Sequence, residues 1–133
     1  MFFRLILLFT VVPLIELALL IELGQKIGLS NTIIIVVLTG FIGAALARSE
    51  GFGVLQRIQS ELNQGQIPAD SLFDGTLILA GALLLLTPGL VTDVIGFVLL
   101  VPPTRKRLKA YLKNYFRRKF NKGEIHVDYR VER

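Results

Sequence analysis

Two carboxylates and a helix break stand inside the most apolar parts of this chain. Glu16 lies within one long apolar run, and a later run is interrupted by polar and helix-breaking residues: Thr87, Pro88, Gly89, Thr92 and Asp93. Carboxylates at the centre of a membrane beside unwound backbone are typical of the ion sites of transporters. The alternative, which we favour, is structural. Asp93 would cap a half-helix, and Glu16 would accept hydrogen bonds from the broken backbone and lock it in place.

Composition indicates the environment in which these residues must work. Of 133 residues, 53% are hydrophobic and 19% charged, and the mean hydropathy is +0.62, which is too apolar for a soluble domain of this size. The chain has no cysteine, which excludes a disulfide framework and a thiolate metal site. No nucleophile–base set, phosphate-binding glycine loop or metal-ligand spacing is evident. We therefore expect an integral membrane protein with no enzymatic activity, no cofactor and no metal.

The first two apolar segments predict a transmembrane helical hairpin. Residues 5–23 would form about 28 Å of helix, enough to cross a bilayer, and residues 32–47 follow after the short connection 24–30. A cleaved signal peptide is the alternative for the first segment, but its apolar region is too long and no small-residue cleavage site follows. The second segment has a ridge of small residues that would pack either against the first helix, which we favour, or against a second copy: Gly40, Gly43, Ala44 and Ala47.

Residues 51–64 predict an amphipathic helix lying in the membrane interface. Phe52, Leu55, Ile58 and Leu62 recur at spacings of three and four, with polar residues between them, and Gly65 and Pro68 follow.

The third apolar region, residues 76–101, allows two topologies. A straight helix would be about 39 Å long, which exceeds the hydrocarbon layer of about 30 Å, and Pro88 would remove a hydrogen bond at its centre. Two halves of about 18 and 12 Å fit a re-entrant hairpin instead. The hairpin places fourteen basic residues on one face of the membrane and Lys26 on the other. A straight span instead puts twelve basic residues on one face and three on the other. Both arrangements make the C-terminus cytoplasmic, and we favour the hairpin, in which the N-terminus is cytoplasmic too.

The segment 105–122 has nine basic residues and no acidic one, with aromatic residues between them. Such a segment can bind nucleic acid. Directly after a membrane segment, however, anionic lipid headgroups are the expected partner, through Arg105, Lys106, Arg107, Lys109, Lys113, Arg117, Arg118 and Lys119. The last ten residues, 124–133, alternate like a strand, and the lone His126 among them is poor evidence for a metal site.

Three motifs resemble the FxsA family of small bacterial inner-membrane proteins. They are PLIELALL at residues 13–20, TGFIGAALAR at 39–48 and LTPGLVTDVIG at 86–96, the last followed by two prolines and basic residues. The resemblance covers roughly residues 5–108. It implies location in the inner membrane and a link to relief of plasmid-mediated phage exclusion. It implies no reaction and no catalytic residue.

The predicted architecture is an all-α integral membrane protein with a membrane domain, 1–103, and a basic cytoplasmic tail, 104–133. The membrane domain combines the helical hairpin, the interfacial helix and the broken re-entrant hairpin, and the tail begins with a basic amphipathic helix. Two functions remain open: an interaction protein that modulates other membrane components, or a small oligomeric transporter or proton-coupled channel using Glu16 and Asp93. The partner would be a second copy or another membrane protein, with no nucleic acid expected.

Overall fold

A computed structural model of the protein describes residues 1–121, so the predicted strand at 124–133 and His126 lie outside the described residues. The described part is all-α, with five helices and no strand. Three of them are long and apolar enough to cross a membrane, which confirms the predicted class. The helices are α1 (Phe2–Ile27), α2 (Leu29–Asn63), α3 (Ala69–Leu86), α4 (Leu90–Leu100) and α5 (Pro102–Asn121).

A single residue, Gly28, connects α1 to α2, so the connector is shorter than the predicted 24–30. Gly28 has a φ of 92°, a conformation that residues with a Cβ rarely adopt. Its N–H donates to the carbonyl oxygen of Gly24, and its own carbonyl accepts from the N–H of Thr32. One residue therefore ends the first helix and begins the second.

The prediction of a separate interfacial helix at 51–64 is wrong about where the helix begins, because α2 continues without a break from Leu29 to Asn63. The segment between the apolar and amphipathic parts contains Gly51 and Gly53 but no proline. A glycine inside a helix costs only about 1 kcal/mol, and the residues on either side, Ala47 and Val54, pack in the core and hold this part of the helix in place. The helix ends at Asn63, Gln64 is its C-cap, and Gly65 follows at a φ of 71°.

Helices α3 and α4 form the predicted hairpin, although α3 begins at Ala69 rather than at residue 76. Thr87, the residue before Pro88, is extended, as the proline ring requires, and helix resumes at Leu90. Gly81 lies against Leu99 and Leu100, while Gly96 lies against Leu85. These pairs run in opposite directions along the chain, so α4 turns back along α3.

The packed core joins α2 to this hairpin. It consists of Val54, Ile78, Leu85 and Leu100, with Leu46, Ala47, Ile58 and Phe97 around them. Helix α1 contributes no apolar residue to the core, since Glu16 is its one buried side chain. Its apolar surface is instead exposed, as expected of a helix surrounded by lipid.

The small-residue ridge of α2 packs differently from the prediction. Gly43 is buried against Leu85 of α3, and a Cβ added to it would lie 2.7 Å from a methyl group of that leucine. Ala47 borders the core, Ala44 is exposed, and a Cβ on Gly40 would meet nothing within 4 Å. The expected packing against α1 is thus wrong. Helix α2 packs more extensively against α3 than against α1.

Candidate functional site

The carboxylate of Glu16 binds the first turn of α4. One oxygen, Oε1, accepts from the backbone N–H of Thr92 at 2.7 Å, and Oε2 accepts from that of Val91 at 3.2 Å. The backbone N–H groups in the first turn of a helix have no hydrogen-bond acceptor within the helix. The positive end of the helix dipole also attracts a carboxylate. Glu16, which is only 5% exposed, therefore caps a helix that is distant in sequence. The structure thus contains the predicted contact between Glu16 and the half-helix.

Asp93 does not cap α4, contrary to the prediction. Gly89 occupies the N-cap position, and the N–H of Asp93 already donates to the Gly89 carbonyl within the first turn. Its carboxylate instead accepts a hydrogen bond of 3.0 Å from the hydroxyl of Thr39 on α2. The helix starts four residues earlier than expected, with Gly89 rather than Asp93 at the N-cap, because Glu16 supplies the cap from outside.

Gly89 is required by the close approach of Glu16. A Cβ at this position would lie 2.5 Å from the carboxyl carbon of Glu16, which is closer than non-bonded atoms come. The two threonines have different surroundings. Thr87 donates to the carbonyl of Leu84 at the end of α3, whereas the hydroxyl of Thr92 is buried without a hydrogen-bond partner among the described residues.

These contacts form a polar site shared by three elements: Glu16 from α1, Thr39 from α2, and Gly89, Thr92 and Asp93 from the tip of the hairpin. We call it the tip site. Thr39 is a member that the sequence reasoning missed. Its single hydroxyl proton is shared between the Asp93 carboxylate and the carbonyl of Val36, each 3.0 Å away. A bond to a carbonyl of the preceding turn is common for threonine within a helix, so spacing alone gives no signal of its role at the tip site.

A second polar cluster, which the sequence reasoning did not predict, lies where the hairpin begins and ends. We call it the ion-pair layer, and it comprises Glu50, Arg57, Asp70, Asp74, Arg105, Lys109 and Lys113. Asp70 and Asp74 are four residues apart on α3, and Arg105, Lys109 and Lys113 are four apart on α5. Acidic residues four apart on one helix and basic residues four apart on another form complementary faces. This spacing in the sequence could therefore have predicted the cluster.

Arg105 ties α5 to α2. Its guanidinium donates to the Glu50 carboxylate and to the carbonyl of Leu100, each at 2.9 Å, and it is only 4% exposed. Asp74 lies 3.8 Å from its Nε, which has no hydrogen-bond partner among the described residues. A buried guanidinium with a partner on each side holds the start of α5 against α2 and α4.

Lys109 ties α5 to α3. Its ammonium group donates to the carboxylates of Asp70 and of Asp74, at 3.0 Å for the latter. Burial alone would lower the pKa of Lys109, but the hydrogen bonds to the two aspartates outweigh it and raise the pKa above its ordinary value. Asp74, which is 6% exposed, also accepts from Arg57 of α2 at 3.3 Å. It is therefore the acidic centre of the layer.

The ion-pair layer corrects part of the predicted lipid-binding set. Arg105 and Lys109 are buried in ion pairs, and Lys113 pairs with Asp70, so the first two cannot reach lipid headgroups. The acidic residues of α2 and α3 in the ion-pair layer neutralise the positive charge of these three basic residues. The other five members of the set are exposed: Lys106, Arg107, Arg117, Arg118 and Lys119.

The two polar clusters lie at different heights along the helices. From Thr39 to Glu50 is eleven residues of α2, or about 16 Å, and from Asp74 to Leu86 is twelve residues of α3, or about 18 Å. The entrance and exit of the hairpin meet at the ion-pair layer, and its tip lies deeper. Within residues 1–121 no group of three acidic or histidine side chains is placed to hold a metal ion.

Comparison with known proteins identifies the family. Residues 7–115 match the family described as "FxsA cytoplasmic membrane protein". The chain belongs to the FxsA family. This confirms the predicted resemblance and the location in the cytoplasmic membrane.

Three curated relatives span most of the chain. "UPF0716 protein YtzA" of Bacillus subtilis (strain 168) is 41% identical over 113 residues, covering 85% of this chain and 89% of the relative. "UPF0716 protein FxsA" of Escherichia coli (strain K12) is 33% identical, with 77% and 65% covered, and that of Serratia marcescens is 32% identical, with 74% and 70%. No solved structure matches this chain.

Proposed function

We propose that this FxsA-family protein is a non-enzymatic interaction protein that modulates other components of the cytoplasmic membrane. One observation favours this function over transport. Both oxygens of Glu16, the carboxylate nearest the centre of α1, accept hydrogen bonds from the backbone of α4. A carboxylate that satisfies the first turn of a broken helix stabilises that helix, and moving a proton onto it would weaken both bonds.

The surface for such interactions is α1. Apolar side chains on all sides of this helix are exposed, including Phe9 at 77% and Leu14 at 60%. Inside a bilayer this surface meets either lipid or the apolar helix of a partner. Resemblance to the FxsA family implies a link to relief of plasmid-mediated phage exclusion. We propose that contact between α1 and a membrane protein underlies an effect of this kind.

The proposed orientation has both termini in the cytoplasm. The hairpin brings α5 back to the end of α2 that carries Arg48 and Arg57, and this places the basic residues together on one side. The five exposed basic residues of α5 that form no ion pair with the described residues then face the anionic headgroups of the inner leaflet. Each contributes roughly 1 kcal/mol to that attraction.

Site-specific photocrosslinking in native membranes tests the interaction. A benzophenone side chain in place of Phe9 should form a covalent product with another membrane protein. The same group in place of Ile78, which is 4% exposed, should form none and serves as the matched control. A purified, unmodified monomer from both variants would contradict the proposal.

A second function, an oligomeric transporter or proton-coupled channel, is favoured by one observation. Glu16 and Asp93 are both buried at the tip site, where Glu16 accepts a hydrogen bond from the N–H of Thr92, the residue next to Asp93 in the chain. Proteoliposomes containing a pH-sensitive dye distinguish the functions. We expect no proton flux above that of empty vesicles. Flux that is abolished equally by Glu16→Gln and by Glu16→Leu, with the fold intact, would establish the channel.

A further inference from the structure

An open groove runs along one face of α2, on the side away from the hairpin. Its volume is about 660 Å³, and it is lined by Phe41, Ala44, Ala45, Arg48, Ser49 and Phe52. The two alanines form its floor, and the exposed rings of Phe41 and Phe52 stand at its two ends. Arg48 is exposed beside this floor, and it makes no ion pair with any residue that the structure describes.

The groove crosses the edge of the hydrocarbon layer. Thr39 lies level with the tip site, and Arg48 is nine residues further along α2, which is about 13 Å. Half of a hydrocarbon layer of about 30 Å is about 15 Å, so with the tip site at the middle of the layer the backbone of Arg48 lies just inside its edge. The long side chain can extend from there to the lipid phosphates. Phe41, Ala44 and Ala45 lie four to ten ångströms deeper, by about 1.5 Å per residue, where acyl chains begin.

Charge selects the occupant of the groove. A second copy that packed the same face symmetrically would bring two Arg48 side chains together without an acid between them, which is unfavourable. An anionic phospholipid instead offers a phosphate to Arg48 and the hydroxyl of Ser49, and an acyl chain to the alanine floor. Arginine is well suited to this task, since its planar guanidinium binds two phosphate oxygens at once.

We propose that the groove of α2 is a binding site for one anionic phospholipid, with the headgroup at Arg48 and an acyl chain along the alanine floor towards Phe41. This site is separate from α5 and its basic residues. It gives the protein a defined lipid contact on the face of α2 that the hairpin leaves open. It does not depend on the proposed function, because it rests on the groove, the depth of Arg48 and its unpaired charge.

Tryptophan fluorescence in bilayers tests the site, since the chain has no tryptophan of its own. Phe41→Trp places the probe at the acyl-chain end of the groove. The full-length variant is reconstituted in phosphatidylcholine containing either brominated phosphatidylglycerol or brominated phosphatidylcholine at the same mole fraction. We expect about fivefold stronger relative association of the anionic lipid from quenching of the probe.

Three further variants distinguish lipid binding in the groove from general electrostatic attraction of anionic lipid to the protein. Arg48→Gln should reduce the preference to about one, and Ala44→Leu, which fills the floor without changing charge, should lower it too. Lys106→Gln removes one exposed charge from α5, which does not line the groove. It should therefore leave the preference measured at the groove probe unchanged, even though it weakens attraction of headgroups to α5. Because Arg48, Ala44 and Lys106 are exposed, helicity and the unfolding temperature should match the parent.

Each remaining outcome overturns the proposal. An equal loss of preference in Arg48→Gln and Lys106→Gln would show general electrostatic accumulation. An unchanged preference in Ala44→Leu would show that no chain occupies the groove. Shielding of the probe from both brominated lipids, relieved by dilution of the protein in lipid, would show that a second copy fills the groove.

Discussion

Gly81 and Gly96 lie backbone against backbone where α3 and α4 pass each other. A Cβ added to either glycine would lie 2.9 Å from the carbonyl oxygen of the other, and one on Gly96 would also lie 2.7 Å from Leu85. Two helices can approach this closely only where neither has a side chain. This contact allows the 11-residue α4 to pack along α3, and it shields part of the interrupted backbone from the surrounding hydrocarbon.

Gly96→Ala is therefore expected to destabilise the hairpin. Its Cβ would collide with backbone and with a buried leucine, and overpacking of this kind costs about 1–3 kcal/mol. Gly40→Ala is the matched control, since its Cβ meets nothing within 4 Å and alanine favours the helix by up to about 1 kcal/mol. Unfolding in detergent micelles measures both. A Gly96→Ala variant as stable as Gly40→Ala would contradict the close packing.

The Glu16 cap predicts a graded series of variants. Glu16→Leu leaves the N–H groups of Val91 and Thr92 without acceptors, at a cost of roughly 1–3 kcal/mol each. Glu16→Gln retains one oxygen as an acceptor and should be milder. Glu22→Leu is the control, since that carboxylate is exposed and pairs with the equally exposed Lys26 of its own helix. Unfolding that is equally easy in the parent and in Glu16→Leu would show that the cap does not form.

Asp74 should be the most sensitive member of the ion-pair layer. Asp74→Ala leaves the buried Lys109 and Arg105 with one fewer counter-charge, and breaking a buried pair of this kind costs about 3–5 kcal/mol. Asp70→Ala should cost less than about 1 kcal/mol, because that side chain is 59% exposed. The same micelle unfolding assay compares them. Equal effects of the two substitutions would contradict the role of Asp74 as the acidic centre.

The raised pKa of Lys109 predicts how stability changes in alkaline solution. The folded protein holds this proton more tightly than the unfolded chain, so the stabilisation is fully present below the ordinary lysine pKa of about 10.4. It is lost as the pH rises through the folded value. As the pH rises above about 10.4, the parent should therefore lose more stability than Lys109→Met. Parallel pH profiles of the two proteins would show that Lys109 is not coupled to folding.

The hairpin topology predicts the pattern of labelling by an impermeant thiol reagent in intact cells. Because the chain has no cysteine, single cysteines at the exposed positions Ser49, Lys106 and Gln25 report directly. Only Gln25→Cys should react from outside, and all three should react after the membrane is permeabilised. Labelling of Ser49→Cys without Lys106→Cys would show that residues 69–100 cross the membrane once.

The sequence alone determined the membrane class, the apolar segments, the break at Pro88 and the contact of Glu16 with the half-helix. These features follow from local properties. Hydrophobic length fixes what can cross a bilayer, and a proline interrupts a helix wherever it stands in the interior. The depth of Glu16 follows from counting residues along its own helix, and a carboxylate at that depth requires hydrogen-bond donors.

Only the tertiary structure decided which neighbours the remaining site and packing residues have. Asp93 bonds Thr39 instead of capping α4, Gly43 packs on α3, and Lys109 faces two aspartates instead of lipid. Each outcome depends on how far one helix is rotated and shifted against another. Rotation by 100° per residue moves a side chain to another face, so small differences in register change every partner. That register is set by the combined packing of α2, α3, α4 and α5, which no single segment of the sequence contains.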